Sequence, residues 1–331
     1  MTVTPARAAH DVRIMLEVLP WPERFERLAV IEKNAVAGDR ETLNALRAEL
    51  ADLALADLST GWEGIPLKEA ILRLPSKRMR AALGSAAKRL RNRYIVDVMS
   101  AGGPPLHDGT KASGPFAAGL DERAIEVPLA LKSARLHEPG EVLDAGAALN
   151  LPVVREIVGT PAARVTHITL PGVDEPRLRG HEDRFIYASG DLRELPYPSA
   201  TFSRVVCVST LEHVGMDNSR YGAAAEHAAA SATSAVSELL RVLARGGELL
   251  LTVPYGREAD HGWFRVLNAD SLGALLAPAS SERVDLRFFY YDGGWTEGGP
   301  VAPSCVLASK FLPDVVTGVA VARVVRKGWA P

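Results

Sequence analysis

Cysteine is scarce in this chain of 331 residues, which contains only Cys207 and Cys305. Two cysteines cannot form the disulfide framework of a small secreted domain or supply the four ligands of a structural zinc site. The chain also lacks an apolar run of about 18 residues, the length that predicts a membrane span, and residues 1–13 lack the apolar core of a signal peptide. These absences predict a cytoplasmic protein in a reducing compartment.

Net charge is nearly absent as well. The 38 Lys and Arg residues almost balance the 40 Asp and Glu residues, which gives a formal net charge of -2. A strongly basic face usually accompanies nucleic-acid binding, so we expect no nucleic acid among the partners. The hydrophobic content of 47% is sufficient for a packed core, and the length allows one large or two ordinary domains.

Residues 1–100 are predicted to form a helical N-terminal region, because apolar residues recur at helical spacing over 10–98. Asp39 is a candidate N-cap for a helix whose apolar face comprises Leu43, Leu46, Leu50 and Leu53. Pro75 and Ser76 interrupt this pattern and begin a further helix. The apolar side of the further helix comprises Met79, Leu83, Ala86, Leu90 and Tyr94.

The opposite side of this further helix is basic. No acidic residue interrupts its cations, which are Lys77, Arg78, Arg80, Lys88, Arg89, Arg91 and Arg93. A basic face of this kind suits peripheral contact with an anionic membrane, such as the inner face of the plasma membrane, or contact with an acidic ligand. The alternative is a solvated face on a helix packed beside the rest of the protein.

Residues 101–120 are predicted to be a linker, since they are rich in Gly, Pro, Ala and Ser, and 102–105 cannot continue a helix. The predicted second domain therefore spans 121–331, with Asp121 as the N-cap of its first helix. From there apolar strands alternate with helical segments, which predicts right-handed βαβ units and a parallel sheet. The predicted strands are 141–145, 164–170, 185–189, 204–209, 248–253, 284–291 and 318–325.

Polar residues follow several of these strands. The first strand ends in Asp144-Ala145-Gly146, where a glycine allows a ligand to approach the backbone of a tight turn. Gly190-Asp191 follows the third strand, and Ser-Thr-Leu-Glu-His-Val-Gly at 209–215 follows the fourth. The carboxyl ends of parallel strands meet at one edge of a sheet, where open α/β folds bind their ligands. The order predicts a nucleoside-binding sheet.

This ordered set, continued through the Gly-Gly turn at 246–247 to Pro254, resembles the class I S-adenosylmethionine (SAM)-dependent methyltransferases. The runs at 211–218 and 255–264, with Tyr221, resemble a bacterial subgroup of that family. The resemblance implies a Rossmann-like α/β fold with a seven-stranded, mostly parallel sheet, an antiparallel edge hairpin and a helical region before it. It also implies SAM as the cofactor, with O-methylation of a small molecule or glycan intermediate as the expected reaction.

The resemblance assigns the cofactor site to the strand ends. The implied cofactor-binding residues are Asp144, Gly146, Ala148, Thr169, Asp191 and Leu192. Asp144 would orient the glycine turn or reach the methionine ammonium group. Asp191 would accept a hydrogen bond from the adenine amino group, with the Leu192 backbone nearby, or would pair with Arg193 instead.

Two of these positions depart from the family pattern. Ala148 stands where the family has a second glycine, and its extra methyl group is compatible with a backbone at negative φ. Thr169 stands where the family has an acidic residue that binds the ribose. The ribose contact is therefore open between the Thr169 hydroxyl and the later carboxylates of Asp174 and Glu175.

His213 is the expected catalytic residue, because a hydroxyl acceptor must lose a proton and histidine has a suitable pKa for a general base. The expected substrate contacts are Glu212, Asp217, Tyr221, His261 and Trp263. In the alternative interpretation, Glu212 and His213 only brace the loop. We expect no metal, although Glu212, His213 and Asp217 have the chemistry of magnesium ligands.

Two other classes of function compete with this one. The departures at Ala148 and Thr169 would also fit a degenerate SAM- or nucleotide-binding module that regulates a partner through its helical N-terminal region. A nicotinamide-dependent oxidoreductase is less favoured, because the glycine turn lacks the Gly-x-Gly-x-x-Gly pattern.

Overall fold

The computed structural model describes residues 77–103, 115–171, 183–219, 231–301 and 316–328. The helical predictions for residues 10–76, including the Asp39 cap and the leucine face, lie outside the described residues. Most of the predicted linker and Cys305 lie outside them too. The boundaries at 1–100, 101–120 and 121–331 therefore stay predictions.

Within the described residues, an eight-stranded mixed sheet forms the centre of the protein, in the order β3-β2-β1-β4-β5-β10-β8-β9. The large strands are β1 (Glu141–Ala145), β2 (Arg164–Thr169), β3 (Phe185–Ser189), β4 (Phe202–Val208), β5 (Leu243–Pro254), β8 (Arg283–Tyr291), β9 (Trp295–Gly298) and β10 (Gly318–Val325). The first five run parallel, and β10, β8 and β9 pair antiparallel. The predicted Rossmann-like α/β class is confirmed.

The predicted count of seven strands is wrong, because β9 adds an eighth beyond β8. A tight turn produces it: Gly293 has a φ of 68°, and Asp292 N–H donates to the Gly294 carbonyl at 2.9 Å. The reversal buries Trp295 completely, and its indole N–H donates to the Leu120 carbonyl at 3.0 Å. The antiparallel pair of β8 and β10 therefore lies inside the sheet, and β9 forms the edge.

Helices cover both faces of the sheet. They are α1 (Lys77–Ser100), α2 (Arg123–Ala134), α3 (Pro152–Val158), α4 (Ser231–Val242) and α5 (Ala269–Leu276). A ribbon of β6 (Ala259–Asp260) and β7 (Arg265–Val266) and a 3₁₀ turn at Leu211–His213 complete the loops above the sheet. Val142 and Leu143 of β1 are fully buried in separate clusters on the two faces. Alternate side chains of a strand point to opposite faces, so β1 must be apolar on both sides.

The start of α2 differs from the prediction. Its N-cap position falls on Glu122, so the Asp121 cap is wrong. The Asp121 carboxylate instead accepts a hydrogen bond at 2.9 Å from Arg91, whose side chain is only 12% exposed. This ion pair joins α1 to the beginning of α2, beside the fully buried Ile95.

The two sides of α1 have different environments. Its apolar side packs against the core through Leu90, Tyr94, Ile95 and Met99. Lys88, Arg89 and Arg93 are exposed. From Leu90 to Met99 the apolar side is covered by protein, so this part of α1 offers a membrane only the electrostatic attraction of its exposed cations. None of the helices in the described part of the chain combines the length and apolar character needed to cross a membrane.

We expect weak, salt-sensitive binding of the protein to anionic vesicles. Each cation near an anionic surface contributes roughly 1 kcal/mol, and the attraction is screened within about 10 Å at 0.1 M salt. Sedimentation with phosphatidylglycerol vesicles should therefore recover less protein when salt is raised. Combined replacement of Lys88, Arg89 and Arg93 by Glu should abolish recovery.

The matched control changes the same amount of charge elsewhere, at the exposed residues Arg155, Arg283 and Lys327, and should keep the binding. Equal recovery with phosphatidylcholine and phosphatidylglycerol vesicles would show that the basic face of α1 is only a solvated face.

Candidate active site

An open cleft of about 910 Å³ lies where the parallel strands end. It is bordered by the turn after β1, the end of β2, and the loops after β3 and β4, as expected for the carboxyl edge of an open α/β sheet. Five of the predicted site residues line it: Gly146, Thr169, Asp191, Leu192 and His213. The cleft is therefore the candidate site.

Gly146 forms the floor of the cleft in a conformation that excludes a side chain. Its φ is 95°, and a Cβ atom there would overlap the side chain of Thr210. Its N–H donates to the Ile168 carbonyl of β2 at 2.8 Å. The glycine of the sequence motif is thus required both for its backbone angle and for the close approach of the loop after β4.

Asp144 lies beneath this turn and does not line the cleft. It is fully buried, and its carboxylate accepts from the backbone N–H groups of Ala148 at 3.1 Å and Leu149 at 2.8 Å. Of its two implied roles, the carboxylate performs the first, orienting the glycine turn. Ala148 contributes its backbone N–H and has negative φ, so its methyl group is tolerated there.

His167 is a site residue that the sequence analysis missed. It stands opposite Asp144 in the register of β1 and β2, is 1% exposed, and its Nδ1 lies 2.7 Å from the Asp144 carboxylate. The ring stacks between Phe185 and Tyr187 at centroid distances of 5.7 and 5.0 Å. A histidine in the middle of a predicted strand was the available signal.

Thr169 ends β2 and lines the cleft, where its hydroxyl donates to the Leu170 carbonyl at 3.2 Å. Asp174 and Glu175, the other candidates for the ribose contact, lie outside the described residues. The ribose contact stays a prediction.

Asp191 pairs with Arg193, which was one of its two expected arrangements. The Arg193 Nε lies 2.9 and 3.0 Å from the two carboxylate oxygens, and the Arg193 backbone N–H donates at 2.8 Å. These hydrogen bonds lower the pKa of Asp191 below its usual value. The side chain remains 35% exposed, so an ionised acceptor faces the cleft beside the buried Leu192.

His213 closes the 3₁₀ turn after β4 and lines the cleft. Its Nδ1 lies 2.8 Å from the Trp263 carbonyl oxygen, which only accepts, so Nδ1 carries the proton. The neutral ring therefore has its basic lone pair on Nε2. Trp263 also stacks on the imidazole, with centroids 5.1 Å apart, and fixes its plane.

The remaining predicted substrate contacts are not among the residues that line the cleft. Trp263 contacts His213 through its carbonyl oxygen and its ring. His261 is exposed, and its ring stacks on that of Phe264 with centroids 4.6 Å apart. The Asp217 carboxylate accepts from the Ser219 N–H at 2.9 Å. Tyr221 lies outside the described residues, so these substrate roles stay predictions.

Glu126 of α2 is a second residue that the sequence analysis missed. It is fully buried, and accepts from Ser209 Oγ in the loop after β4 at 2.6 Å, from Thr252 Oγ1 in β5 at 2.7 Å and from Arg123 Nη1 at 3.0 Å. Burial raises the pKa of its carboxyl group. The available signal was one glutamate within an apolar helical segment, far along the chain from the loop it holds.

Glu212 completes a buried acidic cluster with Glu126 and Glu122. Burial, with a smaller contribution from the Glu126 carboxylate, raises the pKa of Glu212 to about 8. Its Oε1 lies 3.9 Å from Nε2 of His213, and its Oε2 is buried with no hydrogen-bond partner in the described part of the chain. Glu212 therefore remains protonated near neutral pH, and its role as a substrate contact or as a brace of the loop stays a prediction.

The magnesium alternative needed Glu212, His213 and Asp217 together. Within the described ranges, no three His, Cys, Asp or Glu side chains are grouped so as to hold a metal ion. Asp217 instead caps the turn at Ser219, as described above.

Residues 153–251 match the family model described as a methyltransferase domain. This part of the chain is therefore a methyltransferase domain by its sequence. The matched segment contains β2, β3, β4 and most of β5, with the loops that carry Thr169, Asp191 and His213. Comparison with curated proteins gave no match.

Solved structures similar to this chain include the cyclase SpnF. It has 19% sequence identity and a TM-score of 0.42, and the match covers 73% of this chain and 95% of that one. A 1,6-didemethyltoxoflavin N1-methyltransferase from Burkholderia thailandensis, solved with S-adenosylhomocysteine, has 18% identity, coverage of 68% and 99%, and a TM-score of 0.39. A putative methyltransferase from Bacillus halodurans has 15% identity, coverage of 60% and 96%, and a TM-score of 0.36. Likeness at this level says nothing about the acceptor of this chain.

The raised pKa of Glu212 predicts how the free energy of unfolding of this protein depends on pH. The folded state keeps the Glu212 proton up to pH about 8, whereas an unfolded glutamate loses it near pH 4.3, so its contribution to the free energy of unfolding falls between these values. The slope is at most about 1.4 kcal/mol per pH unit. Urea unfolding should show the Glu212→Gln variant gaining stability relative to the wild type as pH rises from 5 to 8.

Above pH 8 the difference between the two proteins should be constant, because the proton has left both states of the wild type. Glu156→Gln, at an exposed position on α3, is the control and should follow the wild type throughout. Parallel curves for wild type and Glu212→Gln would contradict the assignment of a protonated Glu212.

Proposed function

We propose that the cleft binds SAM and that the enzyme methylates a hydroxyl group of a small molecule or glycan intermediate. One observation carries the proposal. The same cleft is lined by the turn at Gly146, where no side chain fits, and by the ionised carboxylate of Asp191.

The Asp191 end of the cleft suits the adenine ring. Its carboxylate can accept a hydrogen bond from the exocyclic amino group, while Arg193 holds the carboxylate in a fixed orientation through both of its oxygens. Leu192 offers an apolar surface to the ring. Thr169, at the end of the neighbouring strand, is positioned between this end and Gly146 for a ribose hydroxyl.

His213 suits the general base. When bound, SAM supplies an electrophilic methyl group on its sulfonium. The chain must then hold the acceptor hydroxyl in line with that methyl group and accept its proton. The Trp263 carbonyl keeps the His213 proton on Nδ1, which leaves Nε2 basic. Protonated Glu212 beside it adds no negative charge at neutral pH.

Titration calorimetry with S-adenosylhomocysteine tests cofactor binding. Asp191→Ala should weaken binding by roughly 1–3 kcal/mol, since the adenine amino group loses its ionised acceptor. Asp183→Ala, at a side chain that is 78% exposed and pairs with Arg184, is the matched control and should bind as the wild type does. Undetectable binding to the wild type at millimolar ligand would contradict the proposal.

Turnover measurements test the base, with an acceptor identified by screening hydroxylated metabolites for release of S-adenosylhomocysteine. His213→Ala should lower turnover by roughly 10²–10⁴-fold, because a general base acts on the acceptor proton. Affinity for S-adenosylhomocysteine should stay within twofold of the wild type. His137→Ala, at a histidine whose side chain is 80% exposed, is the control. If turnover falls little, His213 only braces the loop. If affinity for S-adenosylhomocysteine is lost together with turnover, His213 also acts by bracing the loop and not as the base.

A further inference from the structure

The Asp144 carboxylate, which the family resemblance placed near the methionine end of SAM, is already hydrogen-bonded within the protein. Asp144 is fully buried, and its oxygens hold two backbone N–H groups and His167. The amino-acid end of the cofactor carries a carboxylate and an ammonium group, and neither can be left unpaired in a cleft without cost. A cationic side chain beside the glycine turn would pair with the carboxylate of that end.

The described residues that line the cleft include two arginines, at different places. Arg193 lies after β3 and is bound to Asp191. Arg123, the first residue of α2, lines the cleft together with Gly146, Ser209 and Thr210. Arg123 is thus the guanidinium beside the glycine turn, on the side of the cleft away from the proposed adenine position.

Arg123 is held in place from one side only. Its Nη1 donates to Glu126 at 3.0 Å, and Glu126 is fixed in turn by the hydroxyl groups of Ser209 and Thr252. In the described part of the chain, Glu126 is the one side chain bonded to this guanidinium. A guanidinium has five N–H donors in a planar fork, and the Arg123 side chain is 29% exposed. Donors therefore remain for a ligand in the cleft.

The charges around Arg123 leave it able to attract an anion. Asp121 is paired with Arg91, and Glu126 is bonded to the two hydroxyl groups as well as to Arg123. Glu212 keeps its proton near neutral pH, and Glu122 remains as an acidic neighbour. A guanidinium anchored on a buried carboxylate is pre-organised for bidentate binding of a second carboxylate.

We propose that Arg123 binds the carboxylate of the methionine moiety of SAM, an assignment that rests on the proposed cofactor site. This contact fixes the amino-acid end of the cofactor over Gly146. The sulfonium methyl group is thereby held between Gly146 and His213, where the proposed base accepts the acceptor proton. Arg123 is a positioning residue for the reaction, since it touches the cofactor far from the reacting atoms.

Two ligands that differ only in the carboxylate test this assignment. S-adenosylhomocysteine has the carboxylate, and its decarboxylated analogue, S-adenosyl-3-thiopropylamine, has only the ammonium group. Calorimetry on the wild type should show the first ligand binding roughly 10- to 100-fold more tightly, the usual range for a charge-assisted hydrogen bond. Arg123→Met should reduce this preference to about twofold or less, without changing affinity for the analogue.

Arg123→Met leaves the buried Glu126 without its cation, which risks unfolding. The double variant Arg123→Met with Glu126→Gln removes both charges together and should show the same loss of preference in a folded protein, checked by circular dichroism. Arg193→Met is the matched comparison at the other arginine of the cleft. It should change the affinities of both ligands by the same factor and keep the preference.

The outcomes separate the two proposals. If the wild type binds neither ligand, the proposed cofactor site is wrong. If the wild type prefers S-adenosylhomocysteine and the folded Arg123 variants keep that preference, the cofactor site stands and the role of Arg123 is overturned.

Discussion

The candidate site depends on one buried carboxylate beneath the cofactor turn. Asp144 at the end of β1 accepts from two consecutive backbone N–H groups and from His167 of the neighbouring strand. These bonds hold Gly146 in a conformation that only glycine adopts readily, with no space for a side chain beside Thr210. An unpaired carboxylate at this depth would be very costly, so the turn and its partners are determined together.

A second buried carboxylate organises the opposite wall of the cleft. Glu126 joins α2 to the loop after β4 through Ser209 and to strand β5 through Thr252, and holds Arg123 at the cleft surface. The site therefore has two layers. Buried acids orient the backbone and the cationic side chain, and the exposed groups that they position are available to a ligand. This division explains why the motif aspartate is not itself at the surface of the cleft.

Much of the fold could be predicted from local sequence. Strands of β-branched and apolar residues end at glycines and aspartates, and Gly146 and Asp191 were found in this way because a turn leaves a local signature. His167 and Glu126 could not be found by the same means, because their hydrogen-bond partners are distant in sequence. A single polar residue within a strand or helix also gives no repeating pattern that would mark it. β9 was missed because a strand of four residues, made by the turn at Gly293, gives too short a pattern.

The most direct test of the site is a crystal structure of the protein with S-adenosylhomocysteine. In it we expect the adenine ring beside Asp191 and Leu192, the ligand carboxylate on Arg123, and Asp144 still bonded to the Leu149 N–H beneath the turn. Ligand bound outside the cleft, or a cofactor held directly by a displaced Asp144, would contradict this expectation.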